Sequence, residues 1–156
     1  MEILSDFTTS VKRALGEINP DYEQLDGLVI CGSHTPILSD VEGLLEKIRD
    51  ARENGRPFLG ICYGHQLCAI EYARNVLGIK KATSEEFGKG TFVVKKRKEM
   101  KVGLHEGESY WSNYETVIDW TNPRHFVTAS FHPEYQSRLG KPHPLLAQFL
   151  NLCSST

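Results

Sequence analysis

Two short stretches of the 156-residue chain carry residue types that could do chemistry together. In Gly60-Ile61-Cys62-Tyr63-Gly64 a thiol stands between two glycines. In His132-Pro133-Glu134 an imidazole and a carboxylate are spaced two apart in a segment that proline biases to an extended backbone, so both side chains project to one side. A thiol needs a base to take its proton and a third group to hold that base, and the three can be distant in sequence. His132 follows the apolar run Phe126-Val127-Thr128-Ala129-Ser130-Phe131, so it is expected where a strand ends. Glu134 would then orient the ring and favour its protonated form.

The surroundings of Cys62 suit a nucleophile. Pro57-Phe58-Leu59 reads as a short buried strand, and from His65 the residues Leu67, Ile70, Ala73 and Leu77 recur at helical spacing until Gly78. The thiol therefore falls where a strand turns into a helix, the context in which flanking glycines allow a strained elbow. The positive end of that helix favours thiolate. The competing reading makes Cys62 one more small buried residue. His34, His65, His105, His125 and His143 compete with His132. His105-Glu106-Gly107-Glu108 looks like a loose ligand cluster but lacks partner ligands at a useful spacing and reads as a solvated loop.

These residues must be positioned by alternating strands and helices. Ser5 to Ile18 puts Phe7, Val11, Ala14, Leu15 and Ile18 on one face, with Ser5 or Asp6 as N-cap and Asn19-Pro20 as the stop. Leu28-Val29-Ile30-Cys31 is a buried strand opening into the loop Gly32-Ser33-His34-Thr35-Pro36. Ser39 with Glu42 forms a capping-box spacing before Val41, Leu44, Leu45, Ile48 and Ala51, and Asn54-Gly55 ends that helix. Short strands linked through helices predict a parallel sheet with helices on its faces, an α/β fold. The second half differs. Thr91 to Val94, Met100 to Leu104, Thr116 to Asp119 and Phe126 to Phe131 read as short antiparallel or edge strands, with Lys95-Lys96-Arg97-Lys98 as a solvated hairpin tip. Leu145, Leu146, Phe149 and Leu150 close the chain as a helix.

Length fits one domain over residues 1–156. A net charge of −2 gives no general electrostatic reason to expect nucleic acid or an anionic membrane as partner. No run is long and apolar enough to cross a bilayer, and no leader is evident, which predicts a cytoplasmic protein. Cys31, Cys62, Cys68 and Cys153 show no paired short spacing, so neither a metal site nor a disulfide framework is expected, and no cofactor is implied.

Taken together, Gly60-Ile61-Cys62-Tyr63-Gly64-His65-Gln66 and Ser130-Phe131-His132-Pro133-Glu134 resemble the two signatures of the class I glutamine amidotransferases. Within that family the chain is most similar to the glutaminase domain of CTP synthase, in shortened form. Ser84-Glu85-Glu86-Phe87, Met100-Lys101-Val102-Gly103, Asp6 to Leu15 and His132 to Pro142 extend the likeness over most of the chain. The resemblance implies a three-layer flavodoxin-like domain that hydrolyses glutamine through a γ-glutamyl thioester and releases ammonia. By position, Cys62 is the nucleophile, His132 the acid and base, and Glu134 its orienting partner. Gly32, Ser33 and Tyr63 supply the oxyanion donors, while Gln66, Glu86 and Asn113 take the substrate-binding places.

Three departures stand out. Asn113 occupies the place of a substrate-holding arginine, and Ser33 that of a glycine in the oxyanion loop. The chain also begins almost at its first helix, leaving no room for the family's opening strand, and Asn19 to Leu25 is too short for the second. Such a sheet has an unpaired edge, where a partner or a second copy would associate. No Gly-x-x-x-x-Gly-Lys-Ser/Thr loop occurs, so an ammonia-using synthetase would lie on another chain. Two other readings stay open: an amidotransferase-like interaction or regulatory module with weak chemistry, and a hydrolase of another γ-glutamyl compound.

Overall fold

A computed structural model describes residues 1–33, 40–105 and 108–155, with side chains described outside 97–114. The main sheet runs β1 (Glu2–Leu4), β2 (Leu28–Ile30), β3 (Phe58–Ile61) and β7 (Phe126–Ala129), paired in that order and all parallel. Its central strands are apolar at every position because both faces are covered. Leu28, Ile30 and Phe58 point to a core shared with α2 (Val41–Asn54) and α3 (Tyr63–Asn75). The alternate residues Val29, Leu59 and Ile61 point to a second core shared with α1 (Thr8–Ile18) and α4 (Pro144–Ser154). Helices, sheet and helices make the three layers expected of the α/β fold.

An opening strand exists after all. Three residues suffice because Glu2 N–H donates to the Gly27 carbonyl (2.9 Å) and Leu4 accepts from Cys31 N–H (3.0 Å), locking β1 onto β2 from both ends. Asn19 to Leu25 holds no strand, only a single 3-10 turn at Tyr22–Gln24, so β1 is the edge of the sheet.

The second half corrects the sequence reading most. A smaller sheet contains β4 (Ala82–Ser84), β5 (Thr91–His105) and β6 (Glu108–Thr116), with β4 parallel and β6 antiparallel to β5. The strands expected at 91–94 and 100–104 are one continuous element. Lys95 to Lys98 lies within it, beside an irregularity in the pairing, and not at a hairpin tip. β6 pairs with β5 up to Lys96 and again from Lys101, on either side of that irregularity. Thr116 to Asp119 is no strand, since β6 ends at Thr116, and β7 joins the main sheet in parallel.

Two caps also differ. α1 starts at Thr8 with no side-chain cap, because Ser5 and Asp6 spend their side chains on the Gly32-Ser33 loop. At α2 the cap is Asp40, which accepts from Gly43 N–H at 3.0 Å; Ser39 lies outside the described residues. No helix among the described residues is long and apolar enough to cross a membrane.

Candidate active site

Cys62 stands between the end of β3 and the start of α3 with φ +53 and ψ −99, a conformation that L-residues rarely adopt. The flanking glycines are forced by packing: a Cβ on Gly64 would lie 2.1 Å from the Ile30 carbonyl oxygen, and one on Gly60 2.9 Å from the Gly64 backbone. The turn is tied to β7 through Cys62 N–H and the Ala129 carbonyl at 2.7 Å. Cys62 is the one cysteine of four that is not buried; all four are free. Burial pushes the thiols of Cys31 and Cys153 up to about 12 and about 11 and that of Cys68 well above its usual range.

His132 leaves the end of β7 and faces this turn. Its Nδ1 is 2.6 Å from Glu134 Oε1, and the Glu134 side chain is 0% exposed. Burial opposes protonation of the ring, but hydrogen bonds to Cys62 and Glu134, with their negative charge, outweigh it and raise its pKa to about 10. With Nδ1 on the carboxylate, Nε2 is the nitrogen left for the thiol. The ring is held between Tyr135, stacked at 5.2 Å, and Phe7, edge-on at 6.0 Å. A Cβ on Gly32 would meet both Phe7 (2.7 Å) and His132 (2.8 Å).

This geometry has a testable effect on stability. The folded chain holds the His132 proton more tightly than an unfolded chain would, about 10 against 6.5. The stabilisation is therefore fully present below pH 6.5 and is lost as pH rises through about 10. Thermal unfolding of His132→Gln is expected to lie closer to wild type at pH 10 than at pH 6.5; a gap independent of pH would contradict the pairing.

The loop after β2 is clamped by the residues before α1. The Gly32 carbonyl accepts from Ser5 Oγ (3.0 Å) and from Asp6 and Phe7 N–H (both 3.2 Å), while Ser33 Oγ donates to Asp6 Oδ2 at 2.7 Å. The serine hydroxyl is thus drawn toward Asp6. Tyr63 is the first residue of α3, ahead of its opening bond from Gln66 N–H to the Cys62 carbonyl (3.0 Å). Backbone N–H groups of a first helical turn have no intrahelical acceptor and can face an anion.

Gln66 and Glu86 meet directly. Gln66 Nε2 donates to Glu86 Oε2 and Gln66 Oε1 accepts from Ser84 Oγ, each at 2.6 Å, and Glu86 N–H donates to Ser84 Oγ at 3.2 Å. Gln66 is buried, so it acts on the carboxylate of Glu86 by orienting it. Ser84 joins Gln66 and Glu86 in this cluster, and its place two before Glu86 is the sequence signal for it. Asn113 lies on β6 where side chains are outside the described residues.

The competing histidines go elsewhere. His65 packs against Trp120 at 5.5 Å, with burial pushing its pKa down to about 4. His125 bonds the Ala51 carbonyl (3.1 Å), and His143 caps α4 by accepting from Leu145 N–H (3.2 Å). His34 and the side chain of His105 lie outside the described residues. No group of three or more His, Cys, Asp or Glu side chains placed to hold a metal occurs among the described residues.

The family model described as glutamine amidotransferase class-I matches residues 6–130. The chain belongs to that family. Among curated relatives, the CTP synthase of Methanoculleus marisnigri is 50% identical over 74 residues, covering 47% of this chain and 14% of that protein. The CTP synthase of Encephalitozoon cuniculi is 33% identical over 182 residues, covering 81% and 33%, and that of Sulfolobus acidocaldarius 30% over 170, covering 74% and 32%. This amidotransferase chain thus spans a third or less of the length of these relatives. In fold it is similar to the glutaminase domain of Trypanosoma brucei CTPS solved with bound acivicin, at a TM-score of 0.69 and 18% identity, covering 100% of this chain and 95% of that one.

Proposed function

We propose that the chain acts as one cytoplasmic domain that hydrolyses the side-chain amide of glutamine and releases ammonia. The observation that carries this reading is the strained thiol of Cys62 facing an imidazole whose other nitrogen is 2.6 Å from a fully buried carboxylate. His132, whose raised pKa keeps it protonated, already holds the Cys62 proton on Nε2 when the sulfur attacks the amide carbon. The resulting oxyanion is met by backbone N–H groups of the Gly32-Ser33 loop and Tyr63, a kind of donor worth about 10²–10³ in rate each. His132 then gives the proton to the departing nitrogen; the C–N bond breaks, ammonia leaves and a γ-glutamyl thioester remains. Water, deprotonated by the same ring, attacks the thioester and returns the thiol, with glutamate as the second product. Glu134 keeps the ring in one tautomer throughout.

Glu86, oriented by Gln66, suits the ammonium group of the substrate. Asn113 offers no guanidinium for its carboxylate, so binding rests on fewer charged contacts than an arginine at that place would provide. A synthetase would receive the ammonia, and the outer edge of β1 is where a partner or a second copy would pair.

The test is ammonia release from a panel of glutamine, asparagine and γ-glutamyl peptides. Release from glutamine above the others supports the reading. Release only from the γ-glutamyl peptides would reassign the substrate, and none from any would make the chain an interaction module.

A further inference from the structure

The turn that carries the base-orienting carboxylate is too short to satisfy itself. Pro133–Tyr135 is a single 3-10 turn, using Tyr135 N–H to the His132 carbonyl (3.3 Å) and Gln136 N–H to that of Pro133 (3.1 Å). The carbonyls that follow are met by two guanidinium groups. Arg138 Nη1 donates to the carbonyls of Tyr135 (2.7 Å) and Ser137 (3.0 Å). From the other side, on α1, Arg13 donates through Nη2 to the Glu134 carbonyl (2.8 Å) and through Nη1 to that of Ser137 (3.5 Å). Glu17, one helical turn on, pairs with the Arg13 guanidinium and aims it.

The Glu134 side chain depends on this support. Its Oε1 meets His132 Nδ1 at 2.6 Å, while Oε2 is buried with no hydrogen-bond partner among the described residues. One side-chain bond and the position of its own main chain therefore fix where the carboxylate points.

Resting on the proposed glutaminase reading, we infer that Arg13 is a positioning residue: it pins the main chain of Glu134 from the first helix and so sets the hydrogen bond that orients His132. A fork with two donors suits two neighbouring carbonyls, which a lysine ammonium on a flexible stem reaches less rigidly. The titratable groups facing His132 are Cys62 from the elbow and Glu134 and Tyr135 from its own turn; Glu134 also acts on Cys31 at the end of β2, and from the first helix Arg13 reaches the Glu134 carbonyl and Lys12 acts on Cys31, while the Phe7 ring just ahead of that helix meets His132 edge-on.

The experiment follows the His132 imidazole by nitrogen-15 NMR across pH in the whole chain, alongside glutamine turnover. Arg13→Ala is expected to move the His132 midpoint down by about one pH unit, the scale of a weakened charge-assisted bond. It should also lower kcat about tenfold with KM changed less than about twofold, the pattern of a loss confined to the transition state. Arg13→Lys should recover part of both effects, and Glu17→Gln, which frees the guanidinium without removing it, should move the midpoint in the same direction by less. If Arg13→Ala does not fold, Arg13→Gln gives the same reading. An unmoved midpoint in a folded variant overturns the inference, even if melting temperature drops. A wild-type chain inert toward glutamine would overturn the glutaminase reading instead, and the midpoint would still decide the role of Arg13.

Discussion

Replacing Cys62 with alanine is expected to reduce ammonia release by about 10⁴–10⁶, the scale seen when a nucleophile is removed from a site whose members act as a unit. The protein should nonetheless fold, because Cys62 is only partly buried and alanine is no worse than cysteine at φ +53. Glycine at the same place separates function from stability more sharply. It accepts this backbone without the penalty an L-residue incurs, of order 1–3 kcal/mol. Cys62→Gly should therefore be as inactive as Cys62→Ala and unfold at a higher temperature than either alanine variant or wild type. Equal ammonia release from wild type and Cys62→Ala would remove the proposed chemistry, and a glycine variant less stable than the alanine one would remove the claim of strain.

Gly64→Ala should damage the fold itself. The added methyl would be placed 2.1 Å from the Ile30 carbonyl oxygen and 2.9 Å from its carbon, both backbone atoms of the adjacent strand that have no rotamer to change. Either α3 or β2 must move, at a cost of about 3 kcal/mol or more, a large part of a typical total near 5–15 kcal/mol. Because α3 begins at Tyr63, any shift carries the thiol with it. The control is Gly55→Ala, at φ +73 with nothing within 4 Å, where only backbone strain of about 1 kcal/mol is expected. Urea unfolding of both variants checks the contrast; similar midpoints would show that the helix can move away from the sheet without resistance.

What could be read in the sequence follows a physical divide. Cys62, its glycines and the helix after it form a local pattern, and Leu28 to Ile30 and Phe58 to Ile61 are apolar runs whose burial on two faces leaves a clear mark. The second sheet depends on distant pairing. Ala82 to Ser84 has no apolar run of its own and is a strand because β5 lies beside it, and the charges of Lys95 to Lys98 obscure a strand that β6 pairs on both sides of an irregularity between Lys96 and Lys101. Asp6 shows the same limit at the site. Its type and place read as a helix cap, yet its carboxylate holds Ser33, a residue 27 positions away.

The setting of His132 bears on how protons travel. With Tyr135 over one face, the Phe7 edge nearby and Gly32 beside Cε1, turning the imidazole over would disturb these contacts and break its bond to Glu134. The proposed chemistry therefore disfavours a shuttle that swaps one nitrogen for the other between half-reactions. In the proposed hydrolysis, both the thiol proton and the one taken later from water would pass through a single stationary atom, so the departing ammonia and the incoming water would use the same doorway in turn.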